Sequence, residues 1–129
     1  MEGIFEELKG IIKGEVQEDE KTLEEHSTDA SLFKVRPRVV VFPKDAEDIK
    51  ALVKFVAERK KDDPSLSLTV RSGGTDMTGG PLTESIVVDV SRHMTSLKEV
   101  GKDPASSGGA GYAIVEPGMF YRNFEKEKL

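Results

Sequence analysis

The sequence predicts an α+β fold, with a small, mostly parallel βαβ sheet followed by the start of an antiparallel sheet. Three observations point to it. A short continuous apolar run at residues 39–42 and the apolar-rich segment 86–90, broken only by Asp89, have the composition of strands buried on both faces. Between them lie a helical apolar stripe and an alternating segment, which is the pattern of a βαβ unit. After Ser96 the apolar residues thin out and Gly, Pro, Ser and Asp accumulate, which is hairpin texture.

Each element follows from its own signals. Residues 3–13 read as an amphipathic helix, with Ile4, Phe5, Leu8, Ile11 and Ile12 on one face and Gly14 as the C-terminal cap. Residues 15–25 are strongly acidic, with only Val16 and Leu23 to bury, and read as a solvated surface connection. The run Val39-Val40-Val41-Phe42, bracketed by Pro37 and Pro43, reads as the first strand. Asp45 then caps a helix, with Asp48 in a box-like position and Ile49, Leu52, Val53, Val56 and Ala57 forming its stripe. Lys60 and Lys61 suit the last turn, and Pro64 forbids continuation.

Leu66, Leu68 and Val70 alternate with Ser67, Thr69 and Arg71, which is strand periodicity. Residues 86–90 supply the next strand, and the crossover between parallel strands is expected to be right-handed. Residues 97–100 and 112–116 read as a hairpin around the turn GKDPASSGGAG. Residues 119–129 read as a helix with Phe120 and Phe124 on one side. No Gly, Asn or Pro stops that helix, and the hairpin begins a sheet with few strands, so the expectation is a truncated piece of a larger domain. The expected division is an N-terminal helix and acidic connection (1–35), a first subdomain (36–94) and the start of a second (95–129).

Composition removes several functions. The net charge of −5 argues against a nucleic-acid binder, which needs a basic face to displace counterions, and against a polybasic membrane anchor. The absence of cysteine removes disulfides, thiolate metal sites and cysteine nucleophiles. His26 and His93 alone make a His-rich metal site improbable. No apolar run approaches the roughly 18 residues of a membrane span. The start of the chain lacks a signal peptide's basic and apolar stretches, so a cytoplasmic location is expected.

Residues 71–80, RSGGTDMTGG, are the segment whose composition calls for chemistry. Gly73 and Gly74 follow directly on a strand, and Gly79 and Gly80 close the loop. Glycine leaves room for a ligand against the backbone, and consecutive amides in such a turn form an anion-binding nest. Ser72, Thr75 and Thr78 add hydroxyls, so the natural guest is a phosphate or pyrophosphate. The loop is not a P-loop, because no Gly-Lys-Ser/Thr follows, and not a Rossmann turn, because it leads to another strand rather than a helix. On composition alone a merely flexible glycine turn remains the alternative. Arg71 reads either as a phosphate partner or as an exposed strand-end charge.

Five strings occur in one order: STDAS at 27–31, RPRVVVFPKDAEDI at 36–49, RSGGTDMTGG, IVVDVSRHM at 86–94 and VEPG at 115–118. Together they resemble the N-terminal part of the p-cresol methylhydroxylase-type FAD-binding domain, in the vanillyl-alcohol oxidase superfamily. Within it they look most like the glycolate oxidase subunit and D-lactate dehydrogenase branch. The resemblance implies that FAD is the cofactor and that the glycine loop wraps its pyrophosphate, a role that falls on Arg71, Ser72, Gly73, Gly74, Thr75, Asp76, Thr78 and Gly79. It also implies that Pro43 lies near the adenine side and that Pro117 and Gly118 form a turn approaching the cofactor. Members that tether FAD covalently carry a histidine in this loop. Thr75 stands there instead, so non-covalent FAD is expected. His26 replaces a tyrosine common in the family. His26 and His93 read as structural, and Asp29 and Asp89 as family-like residues whose plainer role is capping turns.

The resemblance makes the first expectation the FAD-binding segment of a flavin-dependent oxidoreductase acting on a small 2-hydroxy acid such as lactate or glycolate. The substrate site and catalytic residues would lie beyond Leu129. In the full-length protein, peripheral attachment to the inner membrane face is compatible with this reading. The alternatives are a nucleotide-binding module without redox activity and a structural α/β fragment that binds nothing.

Overall fold

A computed structural model describes residues 3–104 and 108–128. Its elements are α1 (Ile4–Ile11), β1 (Glu15–Gln17), α2 (Glu20–Glu25), β2 (Val39–Phe42), α3 (Ala46–Arg59), β3 (Leu68–Arg71), β4 (Ile86–Asp89), β5 (Leu97–Lys102), β6 (Gly111–Val115) and α4 (Tyr121–Lys128). The first four strands form one sheet in the order β1-β2-β4-β3. β2, β4 and β3 run parallel, while β1 is antiparallel to β2. β5 and β6 form a separate antiparallel hairpin. This is the predicted α+β architecture. Part of the hairpin turn, residues 105–107, lies outside the described residues.

The two apolar runs occupy the middle of the sheet, where every residue is buried. Val39, Val41, Ile86 and Val88 pack with Leu8, Leu52, Phe55 and Leu66 on one face. Val40, Phe42 and Val87 pack with Leu23 on the other. A strand covered on both sides gains from continuous rather than alternating apolar residues. Each such side chain contributes about 1.5–3 kcal/mol when fully buried. In α3 the inward positions are Leu52 and Phe55, while Val53 of the predicted stripe points to solvent. Ile11 of α1 is likewise exposed.

The acidic segment 15–25 is not a connection. It forms the edge strand β1, with Val16 inward between Glu15 and Gln17, and the helix α2, capped by Asp19. Its apolar residues, Val16 and Leu23, are buried, one in each core cluster. Its charges sit on exposed positions, except Glu15, which is half-buried on β1.

Gly14 does not cap α1. The helix ends at Ile12 in extended backbone, and a Cβ on Gly14 would stand 1.9 Å from the Phe42 carbonyl oxygen. The glycine is there for close passage beside β2. Asp48 also differs from a simple capping box. Its amide donates to Asp45 Oδ1, but its buried carboxylate accepts from the amides of Lys13, Gly14 and Lys44 at 2.9–3.0 Å. One carboxylate thereby joins the end of α1, the exit of β2 and the start of α3, satisfying amides that would otherwise be unpaired.

The chain passes from β2 through α3 to the edge strand β3, then returns through residues 72–85 to β4 between them. The glycine loop therefore leaves the C-terminal edge of a parallel sheet, the edge at which open α/β sheets bind ligands. No helix among the described residues is long and apolar enough to cross a membrane.

Candidate functional site

The loop begins where β3 ends. Gly74 (φ +66) and Gly79 (φ +82) hold left-handed backbone, a region that L side chains rarely adopt. They let residues 72–79 curl instead of continuing the strand. Among the described residues, the backbone amides from Ser72 to Thr78 donate to no protein acceptor, whereas the Gly79 amide donates to Asp29 Oδ2 at 3.0 Å. A run of undonated amides at one end of a sheet is a ready surface for an anion.

A second segment, residues 26–35, holds the loop in place. The Asp76 carbonyl accepts from the Ala30 amide at 2.8 Å. Asp29 spans both segments, accepting from the amides of Ser31 and Gly79. Hydrogen bonds from Ser31 and Gly79 hold its carboxyl below the usual carboxylate range. Arg71 Nη1 donates to the Thr28 carbonyl at 2.8 Å and approaches that of His26 at 3.5 Å. Its guanidinium also lies against Gly74, where an added Cβ would stand 2.3 Å from Nη2. Phe33 packs over Gly79, 3.1 Å from where a Cβ would be.

Beneath this clamp His26 is buried against β4. Nε2 lies 2.8 Å from Asp89 Oδ2, and Nδ1 lies 2.8 Å from the Thr22 carbonyl. Burial raises the Asp89 carboxyl, but hydrogen bonds from His26 and Ser91 outweigh it and hold the group below its usual range. His93 pairs with Glu15 on the far side of the sheet. Burial likewise raises the Glu15 carboxyl, but the bond from His93, a backbone hydrogen bond and the charges of His93 and Arg92 together outweigh it and hold the group below its usual range.

The Pro117-Gly118 turn precedes the other wall and is not itself among the cleft's lining residues. Gly118 donates to the Met94 carbonyl at 2.8 Å, and a Cβ there would stand 2.0 Å from the Val90 carbonyl oxygen. The turn thus lies directly on the exit of β4, and Pro117 itself is exposed. From it the chain leads into α4, and Phe120 Cε1 comes within 3.5 Å of a Cβ position on Gly73. Between loop and helix lies an open cleft of about 630 Å³, lined by Ser72, Gly73 and Thr75 on one side and by Met119 to Asn123 and Lys126 on the other. Its volume is in the range of small-molecule sites.

Of the residues singled out from sequence, Ser72, Gly73 and Thr75 line this cleft. Gly74, Asp76 and Gly79 shape the loop or tie it down, and Thr78 lies along it. Pro43 is buried at the exit of β2, close to Gly14. The sequence reading does not single out Arg122 and Lys126. The available signal was two like charges one helical turn apart.

The fold and this edge loop define a domain that offers backbone amides to an anionic ligand. The FAD binding domain family matches residues 37–127. The chain belongs to that family, so FAD is its ligand class. It is similar to D-2-hydroxyglutarate dehydrogenase of Pseudomonas putida, 36% identical over 88 residues, which is 68% of this chain and 8% of that protein. The Escherichia coli protein of the same name is 34% identical over 93 residues, 72% of this chain and again 8% of the relative. Among solved structures, 4-ethylphenol oxidase from Gulosibacter chungangensis superposes with a TM-score of 0.74 at 22% identity, and an alkyldihydroxyacetonephosphate synthase with 0.71 at 17%. Each superposition covers 95% of this chain and 23% of the other. At those identities the likeness is one of fold. The chain spans about a twelfth of the length of the curated relatives it matches.

Proposed function

We propose that this chain is the pyrophosphate-binding part of a flavin-dependent oxidoreductase that oxidises a 2-hydroxy acid. The observation that carries the reading is the run of undonated amides from Ser72 to Thr78 at the C-terminal edge of the parallel sheet. The residues present fit a diphosphate. Gly73 lines the cleft with bare backbone, Gly74 and Gly79 supply the required left-handed conformation, and Ser72 and Thr75 line the same cleft. Amides already held in place replace the water around a phosphate with little reorganisation.

The roles then divide. Ser72, Gly73, Gly74, Thr75, Asp76, Thr78 and Gly79 form the cradle, and Arg71 braces it against residues 26–28. Pro117 and Gly118 set the turn that faces it, and Pro43 shapes the neighbouring strand exit on the adenine side. FAD, held without a covalent bond because Thr75 offers no histidine for a link, supplies hydride acceptance when bound. This chain's residues bind and orient it. The relatives are named for D-2-hydroxyglutarate, which supports a 2-hydroxy acid of that class ahead of lactate or glycolate.

The test uses the protein expressed from its complete gene. It should purify yellow and reduce a dye acceptor with D-2-hydroxyglutarate. Turnover with lactate or glycolate instead would move the substrate assignment. A colourless protein that takes up no added FAD would refute the reading.

A further inference from the structure

The cleft between the glycine loop and α4 has a charge pattern that the amide cradle does not explain. Its charged lining residues are Arg122 and Lys126, both cationic, in a chain whose net charge is −5. They stand at i and i+4 and so share one helix face, an arrangement that is unfavourable in isolation. Neither forms an ion pair among the described residues. No carboxylate lines the cleft. Arg71, beside the loop but not lining the cleft, has its Nη1 engaged with the carbonyls of Thr28 and His26. Neutral amides supply only partial charges, while a diphosphate diester carries two full negative charges.

We propose that Arg122 and Lys126 supply the positive charge that neutralises the FAD diphosphate held against Ser72, Gly73 and Thr75. The inference rests on the FAD reading above and adds a phosphate-binding role for α4. Phe120, immediately before α4, lies beside Gly73, which places the two cations across the cleft from the loop.

The experiment is a flavin-fluorescence titration of the complete protein, stripped of flavin, with FAD and separately with riboflavin, which lacks the phosphates. Wild type is compared with Arg122→Gln, Lys126→Gln, the double variant and the charge-preserving Arg122→Lys, at low and high salt. Each neutral substitution should weaken FAD binding about tenfold, as expected for loss of a hydrogen bond to a charged group. The double variant should lose more and show a flatter salt dependence. Riboflavin binding should be unchanged, and Arg122→Lys should retain most of the FAD affinity. Unchanged FAD affinity in the double variant overturns the proposal, as does an equal loss for riboflavin or an Arg122→Lys variant as weak as Arg122→Gln. A wild-type protein that binds neither flavin overturns the FAD reading itself, and this inference with it.

Discussion

The His26 imidazole lies 2.8 Å from the Asp89 carboxylate, and both groups are buried. The other ring nitrogen lies 2.8 Å from the Thr22 carbonyl, so both ring nitrogens have a partner. Asp89 is anchored in turn by the amide and hydroxyl of Ser91. The pair joins α2 to the exit of β4, and the carbonyl of His26 itself faces Arg71. His26→Leu strands a buried carboxylate and should destabilise the fold by about 3 kcal/mol. Chemical denaturation of His26→Leu, Asp89→Asn and the double variant checks it. The double should cost less than the sum of the singles.

The same pair sets an acid limit. The Asp89 carboxyl has a folded pKa below the ordinary value of 3.8. Its contribution is therefore present above that ordinary value and is lost as pH falls through the lower folded one. Stability measured by thermal melting should decline below about pH 4. Asp89→Asn should show a shallower decline over that window, starting from a lower plateau.

Two glycines should respond oppositely to alanine. Gly118→Ala places a Cβ 2.0 Å from the Val90 carbonyl oxygen, a backbone atom that has no easy retreat. It should cost about 2 kcal/mol or more. Gly10, inside α1, meets nothing within 4 Å, and Gly10→Ala should stabilise by about 0.5–1 kcal/mol. Paired denaturant titrations of the two variants read both signs.

The 129 residues alone should hold FAD weakly or not at all. The hairpin β5–β6 is largely exposed, with Val100, Ile114 and Val115 facing solvent, and the cleft beside it is open. A cofactor bound from one side keeps more of its entropy cost uncompensated. A flavin-fluorescence titration should give a Kd far weaker than nanomolar. A nanomolar value, about −12 kcal/mol, would show that this chain suffices by itself.

Much of this arrangement is legible in local sequence. Val39-Val40-Val41-Phe42 announces a doubly covered strand because both neighbouring layers demand apolar residues there. The doubled glycines of the loop announce backbone that L side chains rarely adopt, and Gly74 and Gly79 adopt it. Other features need partners distant in sequence. Glu15 and Gln17 hide an edge strand, since only Val16 between them is buried and three residues show no period. Asp48 looks like a local cap, and its ties to Lys13 and Gly14 follow from topology. The clamp of Asp29 on Gly79 spans fifty residues. The cleft's second wall comes from α4, whose charges look solvated until the helix is placed beside Gly73.

The most direct test of the central claim, that the loop amides hold the FAD diphosphate, is the flavin-to-protein ratio of Gly74→Val against wild type, both purified from the complete gene. Gly74 has φ +66, and a Cβ there meets the Arg71 guanidinium, so valine distorts the cradle and loosens its brace. Strain of about 1–3 kcal/mol at one half-buried loop residue should cut flavin retention roughly tenfold or more while leaving most of the fold intact. The account predicts a pale, folded variant with nearly unchanged circular dichroism. Equal flavin content in the two proteins would contradict it.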